Sequence, residues 1–297
     1  MLDLKQVRSF VALAAELHFG RAAQRLNMTQ PPLSRQIRLL EEQLGAPLFE
    51  RTSHSVALTL AGSKFLPEAQ SLLQKAEEIE EFLKIPSDTP EGTVRLAFYG
   101  AASFRLLPKF MTEINKKYPK IQLKLRELNA IQQIQAFTFG ELDLGIARPT
   151  VLAHGLTTDI AFRERLVAAI PENHPLASKQ VILPEDLNNQ SFIAYGPEAP
   201  YLHSLLQSLF AQHGITPRVT QYLSHADAVL SLVGVGLGIA IVSEHAKYAA
   251  RENIVFRPLT DFVISEAITH VISRDDNKKS VVKTVSNFLM EIGQTLD

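Results

Sequence analysis

The stretch from residue 19 to residue 51 most constrains the fold, because it has the pattern of two short helices, a turn and a basic hairpin. Asn27-Met28 interrupts the first helix, and Thr29 is placed to cap a second helix that has two prolines in its first turn. Apolar residues then recur at helical spacing and predict one buried face, formed by Leu33, Ile37, Leu40 and Leu44. The stretch therefore predicts a helix-turn-helix.

The other face of this second helix carries amide, hydroxyl and guanidinium groups, which read base edges and hold phosphates in the major groove of DNA. The residues on this face are Gln30, Ser34, Arg35, Gln36 and Arg38. An alternative for Arg38 is a surface ion pair with Glu41 or Glu42. Residues 47–51 and 56–58 flank a polar tip and predict a two-stranded wing, with Arg51 near the tip and free to reach DNA.

The distribution of charge agrees with a DNA-binding head, although the 297 residues together carry a net charge of −1. Residues 1–64 hold eight lysines and arginines against five acidic residues, whereas residues 65–84 hold two against five. Because a local positive field concentrates a polyanion, the net charge of the whole chain does not argue against DNA as a partner.

Composition excludes several other classes of function. The chain has no cysteine, so it has no disulfide, thiolate metal site or thiol redox sensor of its own. No apolar run approaches the length of a membrane span and the N-terminus does not resemble a signal peptide, so we expect a cytoplasmic protein without a membrane partner.

A long helix is predicted over residues 61–84, with Thr59 as its cap. Its apolar residues are spaced four and three apart, and its opposite face is acidic. Two interpretations are open: the helix lies on its own domain, or it pairs with the same helix of a second copy. The solvated acidic face favours self-pairing through the seam residues Phe65, Ala69, Leu72, Ala76, Ile79 and Leu83.

Beyond a polar linker at residues 86–92, predicted strands and helices alternate, which is typical of a mostly parallel α/β sheet with helices on both faces. The stretch is long enough for two lobes. The predicted strands cover residues 93–98, 121–127, 142–147, 167–170, 191–195, 218–222, 239–242 and 268–273. The predicted helices cover residues 104–118, 131–139, 201–213, 226–235 and 278–296.

No pattern in the chain predicts catalysis, a metal or a cofactor. The glycine-rich run at residues 234–238 follows a helix and precedes a strand, the reverse of the order that presents a helix N-terminus to a dinucleotide. The nine histidines include no pair at helical ligand spacing. Glu127 is an acid at a strand end, but no motif places a second acid or a nucleophile beside it.

Several segments resemble the LysR-type family of bacterial transcriptional regulators, nearest to the regulators of aromatic-compound catabolism. FVALAAELHFGRAAQRLNMTQPPLSRQIRLLEEQLGAPLFERT and LTLAG are similar to the family's N-terminal signature. LLPKF, GELDLGIAR, PENHPLA and LVGVGLGIAIV are similar to its effector domain, so the resemblance covers essentially the whole chain.

The resemblance implies three parts. Residues 1–60 form a winged helix-turn-helix DNA-binding domain, and residues 61–91 form a linker and dimerisation helix with a hinge. Residues 92–297 form a two-lobed effector domain similar to periplasmic binding proteins. Its first lobe covers about residues 92–161 and 265–297, its second about residues 162–264, and two crossing strands join them.

The resemblance also implies the partners. Members act as dimers and tetramers on an interrupted inverted repeat of double-stranded DNA, and an effector between the lobes changes DNA bending and the recruitment of RNA polymerase. The implied DNA contacts are Gln30, Pro31, Ser34, Arg35, Gln36 and Arg38 on the recognition helix, Arg51 on the wing, and Thr59 and Lys64 on phosphates.

The implied effector positions follow the ends of strands and open helices, and they are Gly100, Ala101, Ser103, Asn129, Ala130, Arg148, Pro200, Tyr201, Leu202, His225 and Asp227. Regulators of aromatic-acid catabolism place carboxylate-binding hydroxyls where this chain has Gly100 and Ala130, so the sequence argues against an aromatic acid although aromatic effectors fit the nearest resemblance. Arg148 is expected either to bind an anion or to form a salt bridge within the protein.

The sequence therefore predicts a ligand-responsive transcription factor that performs no chemistry. Two other classes stay open at this point. One is a small-molecule binding protein with a vestigial basic head, and the other is an enzyme on an α/β scaffold. The amide, hydroxyl and guanidinium face at residues 30–38 argues against the first, and the lack of a catalytic motif argues against the second.

Overall fold

The computed structural model describes residues 2–51, 55–82, 90–153, 155–249, 252–275 and 279–296. The chain divides into two compact units, residues 1–88 with 134–142 and residues 89–133 with 143–297. Among the described residues, no helix combines the length and the apolar character needed to cross a membrane. Within the same ranges, no group of three or more histidine, cysteine or acidic residues is arranged to hold a metal ion.

The N-terminal unit contains the predicted helix-turn-helix and wing. Asn27 adopts the left-handed conformation (φ 52°) between the two helices of the motif, and Gly45 (φ 68°) ends the second, as residues tolerant of positive φ do. Asp3 caps the first helix by accepting a hydrogen bond from the backbone N–H of Lys5 (2.8 Å). The elements are α1 (Leu4–Glu16), α2 (Phe19–Arg25), α3 (Gln30–Leu44), β1 (Phe49–Arg51), β2 (Val56–Leu58) and α4 (Leu60–Phe82).

One aromatic cluster organises the core of this unit. The ring of Phe10 on α1 lies 5.4 Å from that of Phe49 on β1 and 5.1 Å from that of Phe65 on α4. The predicted inner face of α3 is buried in the same core, with Leu33, Ile37 and Leu40 at 0 % exposure, whereas the predicted Leu44 is 37 % exposed. The wing and the linker helix are therefore both attached to the scaffold that holds α3.

The prediction that one continuous apolar seam on α4 pairs with a second copy is wrong. Phe65 and Ala69 pack into the core of the N-terminal unit, so the first half of the helix lies on its own domain. Leu72 and Ile79 are 38 % and 54 % exposed, and Leu83 lies outside the described residues. Gly62 allows the close approach, because a Cβ there would lie 2.1 Å from the carbonyl oxygen of Leu48.

The C-terminal unit alternates strands and helices as predicted, with two differences. The predicted strand at residues 167–170 is part of a sixteen-residue strand, and a strand at residues 254–258 was not predicted. The elements from residue 92 onwards are β3 (Gly92–Phe98), α5 (Leu106–Lys117), β4 (Ile121–Glu127), α6 (Ala130–Thr138), β5 (Leu144–Ala147), β6 (Leu156–Pro171), β7 (Ser191–Tyr195), α7 (Pro200–His213), β8 (Arg218–Leu223), α8 (Ala226–Gly234), β9 (Ala240–Ser243), β10 (Ile254–Pro258), β11 (Glu266–Arg274) and α9 (Ser280–Gln294).

The expectation of a mostly parallel sheet is wrong, because the sheet is mixed. Its order is β10-β6-β11-β5-β3-β4, and β9 also pairs with β6. Strands β4 and β5 flank β3 in parallel, whereas β11 is antiparallel to β5 and to β6, and β6 is antiparallel to β9 and β10. A separate parallel pair joins β7 and β8. The long antiparallel pair β6–β11 changes register between Thr269 and His270.

Two hydrophobic cores make this unit two-lobed, as predicted. One contains Phe110 of α5 and Leu289 of α9, and the other contains Phe192 of β7 and Leu209 of α7. Strand β6 contributes residues 161 and 162 to the first core and residues 166–170 to the second, so it runs from one lobe into the other. The crossing strands β6 and β11 therefore form the seam between the lobes.

Candidate DNA-binding face and effector cleft

The outer face of α3 presents free polar groups. Gln30, Pro31, Arg35 and Arg38 are exposed, and Ser34 is half-buried. Among the residues that the structure describes, neither Arg35 nor Arg38 has an ion-pair partner, so the alternative pairing of Arg38 with Glu41 or Glu42 is not formed. Two guanidinium groups are thus available to a polyanion on the same helix face.

Gln36 is placed differently from the other predicted contacts. Its side-chain oxygen accepts a hydrogen bond from the hydroxyl of Ser9 on α1, and Ser9 is buried. Gln36 itself is half-buried, because its position on α3 lies between the outer face and the face that packs on α1. This contact orients Gln36 towards the scaffold and leaves only its amide N–H groups for another partner.

The wing is fixed to α3 by Glu41, which sequence reasoning considered only as a partner for Arg38. One carboxylate oxygen accepts from the backbone N–H groups of Leu48 (2.9 Å) and Phe49 (3.1 Å), and the other accepts from Arg51 (2.6 Å). The Arg51 guanidinium also lies over the ring of Phe19, 5.3 Å from its centroid. Arg51 is therefore held beside α3, and the predicted wing tip at residues 52–54 lies outside the described residues.

The predicted phosphate contacts lie at the start of α4. The Thr59 hydroxyl donates to the carbonyl oxygen of Pro47 (2.7 Å) and accepts from the backbone N–H of Gly62 (2.9 Å). The prediction that Thr59 caps this helix is thus confirmed. Lys64 is exposed one turn further along.

The first lobe brings its predicted effector positions to one edge. Because β4 and β5 both flank β3 in parallel, the loops after all three strands meet at their carboxyl ends. After β3, a 3₁₀ segment (Gly100–Phe104) carries the predicted Gly100, Ala101 and Ser103. Asn129 and Gln132 exchange side-chain to backbone hydrogen bonds of 2.9 Å each at the start of α6, beside Ala130.

The second lobe does the same with the parallel pair β7–β8. Helix α7, opened by the predicted Pro200, Tyr201 and Leu202, follows β7, and α8 follows β8 with His225 as its N-cap and Asp227 in its first turn. The backbone of Ile268, on β11, contacts predicted effector residues of both lobes. Its N–H donates to the Tyr201 hydroxyl (3.0 Å), and its carbonyl accepts from Arg148 (3.1 Å).

Arg148 is buried in a network rather than free, so the salt-bridge alternative is the one that the structure forms. Its guanidinium donates to the hydroxyl of Thr269 (3.1 Å) and to Glu164, and it lies 4.9 Å from the ring centroid of Tyr99. Arg148 is 8 % exposed and Glu164 5 %. Burial opposes the charge of Arg148, but Tyr99 and Glu164 outweigh it and raise its pKa.

His245 continues this network. The Arg105 guanidinium, which can only donate, lies 3.0 Å from Nε2 of His245, so Nε2 accepts and Nδ1–H faces Glu164 at 3.2 Å. Burial lowers the pKa of His245; Glu164 opposes this effect, and Arg105 adds to it. His245 is therefore neutral. Arg105 also stacks on Tyr248, 5.4 Å from its centroid.

Two further tyrosines border the network. Burial raises the pKa of Tyr99 to about 12, and its hydroxyl lies 2.9 Å from that of Thr269. Burial likewise raises the pKa of Tyr195, which ends β7 and is 2 % exposed. Sequence reasoning missed Tyr99, Glu164 and Tyr195. No motif marks them, and the polar residues at 163–165 obscured the strand that carries Glu164.

The chain matches two family models along most of its length. The model for the LysR substrate binding domain matches residues 87–293, and the model for the bacterial regulatory helix-turn-helix protein, lysR family, matches residues 4–63. The regulator AlsR of Bacillus subtilis (strain 168) is 34% identical over 283 residues, covering 95% of this chain and 93% of AlsR. The Hca operon transcriptional activator HcaR of Escherichia coli (strain K12) is 32% identical over 282 residues, covering 94% and 95%.

The fold is shared with a solved structure as well. A single-site variant of full-length OxyR from Pseudomonas aeruginosa superposes with a TM-score of 0.75 at 24% identity, covering 99% of this chain and 95% of that one. The family models together cover both units of the chain, and the families and relatives that match are transcriptional regulators rather than enzymes. This chain therefore belongs to the LysR family of DNA-binding transcriptional regulators with an effector-binding domain.

Proposed function

We propose that this regulator binds a small molecule between the two lobes of its C-terminal domain, and that this binding controls how α3 engages DNA. One observation carries the proposal. The strand residue Ile268 is hydrogen-bonded by Arg148 at the edge of the first lobe and by Tyr201 at the edge of the second. A ligand that contacts Arg148 or Tyr201 therefore acts on a residue of the crossing strand β11 that is hydrogen-bonded from both lobes.

The proposed effector residues are the positions that line these two edges. On the first lobe they are Gly100, Ala101, Ser103, Asn129, Ala130 and Arg148, and on the second they are Pro200, Tyr201, Leu202, His225 and Asp227. Titration with matched aromatic and aliphatic ligands tests whether the carbon skeleton of the effector is aromatic or aliphatic.

The proposed DNA contacts are Gln30, Pro31, Ser34, Arg35, Gln36, Arg38, Arg51, Thr59 and Lys64, with Arg35 and Arg38 as the principal cationic groups of α3. Gln36, Arg51 and Thr59 each already hold a contact within the scaffold, so fewer of their polar groups are available to DNA.

The division of the chain proposed from the sequence has a DNA-binding domain (1–60), a linker helix and hinge (61–91) and an effector domain (92–297). The second half of α4 exposes Leu72 and Ile79, so we propose that it pairs with a second copy and that dimers assemble further into a tetramer. Two recognition helices per dimer suit an interrupted inverted repeat in double-stranded DNA. RNA polymerase is the proposed downstream partner, and the cytoplasm the proposed location.

Arg35→Ala tests the DNA-binding face. We expect it to weaken binding to the operator about tenfold or more, the loss expected for one base contact, while ligand binding is unchanged. Arg165→Ala is the matched control, since it removes an exposed arginine from β6 in the effector domain. Gel-shift titrations at several salt concentrations would measure both. Equal operator affinity for the two variants would contradict the assignment of Arg35.

A further inference from the structure

Two buried hydrogen-bond donors of the two-lobed domain have no partner among the described residues. They are the hydroxyl of Tyr195 and Nε of Arg148. Both side chains are more than nine-tenths buried. A buried donor without an acceptor is costly and uncommon in folded proteins, so a site with two of them indicates a missing acceptor.

The two donors come from opposite lobes. Tyr195 ends β7 and belongs to the core of the second lobe, whereas Arg148 follows β5 at the edge of the first. Burial raises the pKa of Tyr195 and the positive charge of Arg148 lowers it, so the hydroxyl lies within reach of the field of that guanidinium. The net shift is upward, and Tyr195 therefore keeps its proton and can donate it to a hydrogen bond.

The local charge balance favours an anionic acceptor. Arg105 and Arg148 bring two positive charges to the network, Glu164 brings one negative charge, and His245 is neutral. Glu244 also acts on His245, but it forms its own ion pair with Lys247 (2.7 Å), so the two arginines of the network face one carboxylate. Asp227 also acts on Tyr195, but it is exposed and its charge is screened by water.

Building on the interlobe effector site proposed above, we propose that the effector is an organic carboxylate whose oxygens accept hydrogen bonds from the Tyr195 hydroxyl and Nε of Arg148. A carboxylate has two acceptor oxygens, which suits two donors that approach from different elements. Because each lobe supplies one donor, the bound group ties the second lobe to the first. The absence of carboxylate-binding hydroxyls at Gly100 and Ala130 argued against an aromatic acid, and Tyr195 supplies a hydroxyl from the other lobe.

Matched ligands test the class of effector. The full-length protein, without DNA, is titrated in thermal melts and by calorimetry with benzoate, hexanoate and adipate, with their amides, and with benzylamine and hexylamine. We expect at least one carboxylate to raise the melting temperature and its amide and amine to have little effect. The proposal is overturned if amides or amines stabilise the protein as well as the carboxylates do, or if no carboxylate acts at millimolar concentration.

Tyr195→Phe tests the residue. Because its hydroxyl has no partner among the described residues, we expect the free variant to melt no lower than the wild type. Its affinity for the carboxylate that binds the wild type should fall roughly tenfold, as for the loss of one hydrogen bond to a charged group. Tyr222→Phe is the control, since Tyr222 is 57% exposed in the same lobe, and it should bind like the wild type.

Two results with this variant would overturn the assignment. A lower melting temperature of free Tyr195→Phe would show that the hydroxyl has a protein partner, and unchanged carboxylate affinity would show that its acceptor is not the effector. Gel shifts with operator DNA, with and without the carboxylate, separate this inference from the proposed function. Carboxylate binding that leaves the DNA complex unaltered contradicts the proposed control of DNA binding, and the assignment of Tyr195 and Arg148 stands.

Discussion

Removing the carboxylate of Glu164 should destabilise the effector domain more than any exposed substitution. Glu164 accepts from Arg148, from the backbone N–H of His245 (3.3 Å) and from its ring, with Nδ1 at 3.2 Å. Glu164→Leu leaves the charge of Arg148 buried without its partner, which costs about 3–5 kcal/mol. Replacing both charges, in Glu164→Leu with Arg148→Met, should recover most of this loss because no unpaired buried charge remains.

Thermal melts followed by near-ultraviolet circular dichroism would measure this. The chain has no tryptophan and six tyrosines, and Tyr99 and Tyr195 border the network, so the tyrosine signal reports on it. For a domain of this size, about 1 kcal/mol shifts the melting temperature by about 2–4 °C, so Glu164→Leu should melt roughly 6–20 °C lower.

Exposed Glu266 on β11 provides the control, and Glu266→Leu should melt close to the wild type. The reasoning fails if Glu164→Leu melts as high as Glu266→Leu. It also fails if the double variant is no more stable than Glu164→Leu, because the two charges would then not be energetically coupled.

Two further outcomes follow from other contacts. Glu41→Ala should lower the stability of the DNA-binding domain by about 1–3 kcal/mol, since two backbone N–H groups of the wing lose their acceptor, and Arg51→Ala should cost less; chemical denaturation of both variants would check this order. The folded protein holds the pKa of His245 below its ordinary value, so the unfolded chain takes up a proton more readily and the free energy of unfolding should decline as the pH falls below about 6.5. His245→Gln should flatten part of that decline in melts from about pH 5 to about pH 8, leaving the part due to His174 and His270, whose pKa values are also lowered. An unchanged slope would contradict a neutral buried His245.

Local patterns predicted most of the elements. Strands β4 and β7 begin and end where the sequence placed them, and α3 buries three of its four predicted inner residues. Such patterns are visible because helix and strand periodicities repeat within a few residues. The long strand β6 was shortened in the prediction, because its half from Leu156 onwards carries polar residues that alternate only weakly.

Pairing between distant segments was not predictable in the same way. The pattern of α4 favoured a partner helix over its own domain, and only the position of Phe10 and Phe49 shows which surface covers Phe65 and Ala69. Likewise, alternation of strands and helices suggested a parallel sheet, whereas the antiparallel crossing of β6 and β11 depends on contacts a hundred residues apart.

By itself, the sequence determined the helix-turn-helix, its cationic outer face, the two-lobed α/β class and the absence of cysteine chemistry, because each depends on residue types at short spacing. Only the tertiary structure decided the state of the individual polar groups. It joined Arg148 to Glu164 and His245, turned Gln36 towards Ser9, and left the Tyr195 hydroxyl without an acceptor among the described residues. The reason is that the partner of a buried polar group is set by long-range packing, which short-range periodicity does not encode.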